Sequence, residues 1–455
     1  MTAQELAFAG VVRQAELIRG GEVSSKELVE LYLERIARLD PELNSFRTVL
    51  GERALVDAQQ ADARRAAGED GSQRPLLGVP LAVKDVEDLA GEVTTLGTAA
   101  NVTPARQDSE LVRRVRAAGA VILGKTNVPE LAIMGDTEGP SFGITRNPWN
   151  TDRSAAGSSG GSGAAVAAGL CAAATASDGA GSIRLPAANC GLVGLKPTRD
   201  LIPLSDQGEH WYGLSVTGFV TRTVADTALL MGVGADSPEL ASAAAKPASE
   251  LRVGYSMKPP LAARIDPVMH RLVDDAAAQL RSLGHRVEQD DPPYPLVSPV
   301  LQRYLGGIAR DAERVERPER LQRRTRGFAR LGRQIPPPLL DWALRNDASD
   351  KTGPYFERHD VLLTPTTARP PVAAGQWEGR SALTTLLGMV AVYPFTGHWN
   401  LTGQPSVSVP VGVSDDGLPL GVQLVGRHGS EATLIGLAAQ LEAEYRWAER
   451  RPPVS

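Results

Sequence analysis

Residues 157–198 read GSSGGSGAAVAAGLCAAATASDGAGSIRLPAANCGLVGLKPT, almost free of charge and built mainly from glycine, alanine and serine. Two serine-rich turns, 157–162 and 177–184, flank the apolar, helix-forming run 164–170. Taken alone, a Gly/Ser run is a flexible linker. Linkers seldom lead straight into a buried helix, so these turns are read as tight and packed in a core.

Working outward, helical and extended patterns alternate. Ser24 and Glu27 form a capping-box pattern, and Leu28, Leu31, Ile36 and Leu39 recur at helical spacing, which predicts a helix over 24–39. A second helix is predicted over 51–67. The apolar run 79–83 predicts a buried strand leading directly to Lys84. Residues 109–118 read as helix, 120–123 as strand and 267–283 as helix. The stretch 300–350 is rich in arginine and carries Pro336-Pro337-Pro338; a helical cap is expected there. Strands follow at 361–364, 406–413 and 421–425, the last two joined through the turn pair Asp416-Gly417. No internal repeat is visible. This alternation predicts a layered α/β fold. We take it as one domain over 1–455, with a helical start at 1–70, a core at 75–230, a cap-like region at 295–355 and a C-terminal sheet and helix region at 360–445.

With 455 residues, 42% apolar and 22% charged, the chain can bury a large core and is not disordered. Its net charge of -5, with both signs mixed along the chain, argues against nucleic acid as a partner. Cys171 and Cys190 leave a disulfide open, although reduced buried thiols are the plainer reading. No metal-ligand spacing occurs and the six histidines are scattered, so no metal or cofactor is expected. The N-terminus lacks a basic-then-apolar leader. No window reaches the roughly 18 uninterrupted apolar residues of a membrane span. A cytoplasmic protein without a membrane partner is expected.

Two motifs imitate other chemistry. Gly119 to Thr126 fits the phosphate-loop pattern, but Ala120, Val121, Ile122 and Leu123 favour a buried strand where that loop needs free backbone. Gly157-Ser158-Ser159-Gly160-Gly161 fits a nucleophile elbow of the α/β-hydrolase type, yet the preceding residues are polar and turn-rich, with no strand to carry it.

The two serine turns have small residues that let backbone N–H groups approach an oxyanion closely. A serine there needs a base. Lys84, arriving on an apolar strand, could be one if burial removes its proton; alternatively it is salt-bridged to Asp85.

The 157–198 stretch resembles the defining signature of the amidase signature family. Further matches are Gly78 to Asp85, Ile122 to Asn127, Phe142-Gly143, Asn147-Pro148-Trp149, Thr221 to Asp226, Leu363 to Thr366, Asn400 to Gly403 and Gly417 to Gln423. The resemblance implies a central mixed β-sheet sandwiched between α-helices. It also implies an amidase that needs no cofactor and cuts a small-molecule amide through an acyl-enzyme. Ser182 would be the nucleophile, Ser158 the bridging serine on a cis peptide and Lys84 the base. Backbone N–H groups of Gly179, Ala180, Gly181 and Ser182 would hold the oxyanion, braced by Ser159, Asp178 and Arg184. A homodimer is the family expectation.

The chain departs from the family pattern at Ala180, where glycine is usual; an alanine tolerates positive φ poorly, so a reshaped oxyanion loop is expected. Ala155-Ala156 likewise stands where Pro-Gly is common. Ile133, Met134, Ser141 and Trp399 match pocket-wall positions, with ordinary core packing the competing reading for Met134 and Trp399. An apolar pocket would favour alkyl or aryl amides and would also admit esters and carbamates. The alternatives are the glutamine-hydrolysing A subunit of a glutamyl-tRNA amidotransferase, an α/β-hydrolase-like esterase and a non-catalytic scaffold.

Overall fold

A computed structural model describes residues 1–69, 71–204, 210–295 and 298–455. Among them, eleven strands form one mixed sheet. In chain order these are β1 (Phe46–Val49), β2 (Pro80–Lys84), β3 (Val121–Thr126), β4 (Ala173–Asp178), β5 (Val193–Lys196), β6 (Val216–Thr221), β7 (Arg252–Tyr255), β8 (Arg286–Gln289), β9 (Val361–Pro365), β10 (Ser406–Val413) and β11 (Pro419–Gly426). Across the sheet they lie β1-β3-β2-β4-β6-β5-β10-β11-β9-β7-β8. The β3-β2-β4 and β9-β7-β8 groups are parallel, and all other neighbours are antiparallel.

The apolar strands are buried on both faces, as their unbroken hydrophobic runs require. The two-residue period divides them between two cores. Leu81, Val83, Ile122, Leu195 and Phe219 belong to one; Ala82, Val121, Leu123, Ala174 and Ala176 belong to the other.

The helices include α1 (Ser25–Leu43), α2 (Gly51–Ala66), α3 (Gly160–Ala167), α4 (Arg184–Cys190), α5 (Val300–Arg314), α6 (Gly397–Thr402) and α7 (Glu431–Tyr445). Both capping-box bonds of Ser24 and Glu27 open α1. It runs through Pro41, four residues beyond the predicted end, and stops where Asn44 turns left-handed at φ 53°. Val29, Tyr32 and Ile36 of α1 pack in the same core as the alanines of α3. Every residue of α3 is buried. Its small side chains allow that depth: a Cβ at Gly161 would come within 2.5 Å of the Asn127 and Ser45 backbone. Leu434, Leu437 and Leu441 of α7 cover the opposite core.

The arginine-rich region is more regular than its sequence indicates. Beyond α5 it holds helices Arg323–Arg333, Pro337–Arg345 and Ser349–Arg358. Tyr304, Ile308 and Phe328 from this region join Trp211 and Trp377 in a third apolar cluster. A strand also precedes Ser158, contrary to the sequence reading. Asn150–Ser154 pairs with Arg146–Asn147 in a small hairpin outside the main sheet. Cys171 and Cys190 are free and buried. Among the described residues no helix is long and apolar enough to cross a membrane.

Phe219, on β6 and 1% exposed, tests this core. Phe219→Ala is expected to lower unfolding free energy by about 3–5 kcal/mol, read from urea denaturation.

Candidate active site

Strand β2 ends at Lys84, which is wholly buried. Its backbone N–H donates to Thr175 Oγ1 on β4 at 2.8 Å. Its Nζ reaches Ser158 Oγ and Ser177 Oγ, both at 2.8 Å. The Gly157–Ser158 peptide is cis. Burial lowers the Lys84 pKa to about 7, against the opposing pull of Asp178 and Glu87. Burial therefore favours the neutral amine.

The alternative partner for Lys84 is otherwise engaged. Asp85 pairs with Lys125 at 2.9 Å, both side chains about 1% exposed. Lys125 is the lysine of the phosphate-loop look-alike, and it lies within β3 along with Gly124 and Thr126. The segment is a buried strand, without a loop to cradle phosphate.

The loop from Asp178 to α4 is fixed from below. Asp178 Oδ1 accepts the Gly181 N–H at 2.5 Å and Oδ2 accepts that of Ile183 at 3.1 Å. Arg184 grips the same carboxylate with Nε and Nη2, each at 2.9 Å. Its remaining donors reach Gln423 Oε1 at 2.6 Å, Asn400 Oδ1 at 2.6 Å and Thr396 O at 3.1 Å. Burial alone would raise the Asp178 pKa; the Arg184 charge and bonds, with help from Asn400, outweigh it and hold the carboxyl at about 2. Ser159 Oγ donates to Ser177 O at 3.3 Å. Asp178 and Arg184 thus brace this loop, and Ser159 holds the strand end that leads into it.

Two expectations for the loop are corrected. The Gly181 N–H is spent on Asp178, which leaves Gly179, Ala180 and Ser182 with N–H groups unclaimed by any described residue. Ala180 does not have positive φ; the turn places that conformation at Gly181, φ 136°, where a Cβ would strike Thr396. A left-handed alanine stands instead at Ala156, φ 60°, two residues before Ser158. Ser182 is half-buried, and its hydroxyl makes no hydrogen bond to a described residue.

A cavity of about 610 Å³ opens beside the pair, with Ser158, Ser177 and Gly179 among its walls and Lys84 behind them. The Amidase family model matches residues 27–435. The chain belongs to the amidase signature family. It is a hydrolase acting on amide bonds. This amidase is 47% identical over 466 residues to the putative amidase AmiB2 of Mycobacterium tuberculosis strain ATCC 25618 / H37Rv, with all of both chains covered. The solved structure of a 6-aminohexanoate cyclic dimer hydrolase complexed with substrate superposes with TM-score 0.88 at 33% identity, covering 98% of this chain and 99% of the other. A bacterial aryl acylamidase structure superposes with TM-score 0.85 at 27% identity, covering 97% and 99%.

The amidase does not use the expected pocket-wall residues to line this cavity. Ile133 and Met134 are buried in the third apolar cluster. Trp399 is fully buried against Phe356, Leu362 and Val425. Ser141 sits in the turn between the short strands Glu138–Gly139 and Gly143–Ile144. The walls come instead from Leu131, His210, Trp211, Asp311 and Glu316, among others. Ser177 was also missed as a Lys84 partner. Its signal is the alternation of Thr175 and Ser177 along an otherwise alanine-rich strand, which puts both hydroxyls on the Lys84 side.

Removing one partner of a buried ion pair strands the other. Arg184→Met in the amidase is expected to lose about 3–5 kcal/mol of stability in urea unfolding.

Proposed function

We propose that this amidase hydrolyses the C–N bond of an apolar or aryl amide through an acyl-enzyme on Ser182. The observation that carries the reading is the 2.8 Å contact between Ser158 and a lysine whose proton is already loosely held. Neutral Lys84 takes the Ser158 proton as Ser158 takes that of Ser182. Ser182 Oγ bonds to the carbonyl carbon, and the oxygen gains charge facing the N–H groups of Gly179, Ala180 and Ser182. As the C–N bond breaks, the proton returns from Lys84 through Ser158 to the departing nitrogen. Water then releases the acyl group by the same relay. Ser182, free of hydrogen bonds to described residues, can turn its hydroxyl toward Ser158; hydroxyl rotation costs little.

The substrate class follows from the cavity and the relatives. A volume near 610 Å³ holds a drug-sized molecule. The relatives include proteins named for a cyclic aminohexanoate dimer and for aryl acylamides, both neutral amides. The same carbonyl chemistry extends to esters and carbamates.

The test is release of p-nitroaniline from p-nitroacetanilide and of p-nitrophenol from p-nitrophenyl butyrate, without added metal. Ser182→Ala is expected to abolish both. Turnover untouched by Ser182→Ala would remove Ser182 as nucleophile. The pH profile supplies a second test. The base form of Lys84 is lost as pH falls through about 7. Below that point kcat/KM should fall about tenfold per pH unit, and above it should level off. A rate independent of pH between 5 and 8 would exclude Lys84 as the base.

A further inference from the structure

Helix α5 presents one face to the turn formed by His210, Trp211 and Tyr212. Arg303, Gly307 and Asp311 follow at four-residue spacing on that face, and each meets the turn. Arg303 Nη1 donates to Tyr212 O at 2.9 Å. A Cβ at Gly307 would come within 2.6 Å of the Trp211 indole. Asp311 Oδ2 accepts the indole N–H at 2.6 Å and lies 3.0 Å from His210 Nε2. His210 Nδ1 is 2.7 Å from Ser215 Oγ, and its ring stacks on Trp211 with centroids 5.2 Å apart. Trp211 and Tyr212 are both left-handed, with φ of 50° and 53°. Residues with a Cβ do not choose that conformation unaided, so contacts from α5 hold the turn.

The held indole lies against the loop that carries the free N–H groups. Its Cε3 and Cζ3 stand 2.7 Å from where a Cβ on Gly179 would be. Trp211 is 7% exposed and lines the cavity together with Gly179, Ser158 and Ser177. The ring therefore borders the space an acyl group would enter if its carbonyl oxygen rested on this loop. We infer that Trp211, positioned by Asp311, is the specificity wall of the amidase: it passes acyl chains unbranched at the carbon next to the carbonyl and rejects branched ones. The inference rests on the reading of 179–182 as the oxyanion loop.

The experiment compares kcat/KM for the p-nitroanilides of butyric and isobutyric acid, with melting curves to confirm folding. Wild type should favour the butyryl compound. Trp211→Ala should raise the isobutyryl-to-butyryl ratio about tenfold or more, the scale set by one methyl group in a pocket. Asp311→Leu, which frees the indole, should move the ratio the same way. Asp311→Asn keeps an acceptor for the indole N–H and should restore a ratio within about twofold of wild type. An unchanged ratio in folded Trp211→Ala, or in Asp311→Leu should Trp211→Ala not fold, overturns the wall alone. An Asn variant as altered as the Leu variant removes Asp311 as the positioning group. Absence of turnover of both anilides by wild type, even at high enzyme, overturns the catalytic reading and the wall with it.

Discussion

Arg184 carries its charge with no exposed surface, and the loop above it is shaped by that fact. A guanidinium taken out of water loses several kcal/mol of hydration unless its donors are met. Here they reach both oxygens of Asp178 and three further oxygens, on Thr396, Asn400 and Gln423. Those acceptors come from residues more than 200 positions later in the chain, on or beside α6 and on β11. The glycine-rich signature and the C-terminal motifs therefore meet around Arg184, with Asn400 and Thr396 also donating to Asp178 and to the Ala180 carbonyl. Asp178 in turn spends two acceptors on backbone N–H groups of the loop, which fixes the direction of the remaining ones.

The second constraint is the separation of two adjacent charges. Lys84 and Asp85 are neighbours in sequence, and alternation along an extended backbone sends them to opposite sides. Asp85 finds Lys125 there, a partner made available because β3 lies beside β2. Lys84 is left with hydroxyls, which solvate an amine without stabilising its positive charge as a carboxylate would. With Asp85 turned away, burial decides the direction of the Lys84 shift, against the pull of Asp178 and Glu87.

The sequence carried the layered fold well, because each apolar run on β2, β3, β10 and β11 is bounded by turn residues that mark its ends. Lys84, Ser158, Asp178 and Arg184 could be singled out because each sits in a short motif that resembles the family signature, and the fold brings Lys84 to Ser158 and Arg184 to Asp178. The cavity beside Ser158 is lined by other residues than the expected ones. Ile133, Met134 and Trp399 are apolar and were bound to be buried, but apolarity does not say against what. The wall actually built depends on Asp311 meeting Trp211, a contact between residues 100 positions apart. Nothing local to either residue announces it. The Gly181 N–H was misassigned because a glycine-rich run does not reveal which of its donors faces the braced carboxylate.

The position of Lys84 has one more consequence, concerning the enzyme's own survival. A discharged primary amine is a good acyl acceptor, and an acyl group passed to it would be trapped as a stable amide. Lys84 is fully covered, while Ser158 and Ser177, both bonded to its Nζ, stand in the cavity wall in front of it. Two hydroxyls therefore stand between the nitrogen and the cavity. The layering that lowers the pKa of the lysine also keeps its nitrogen out of the cavity.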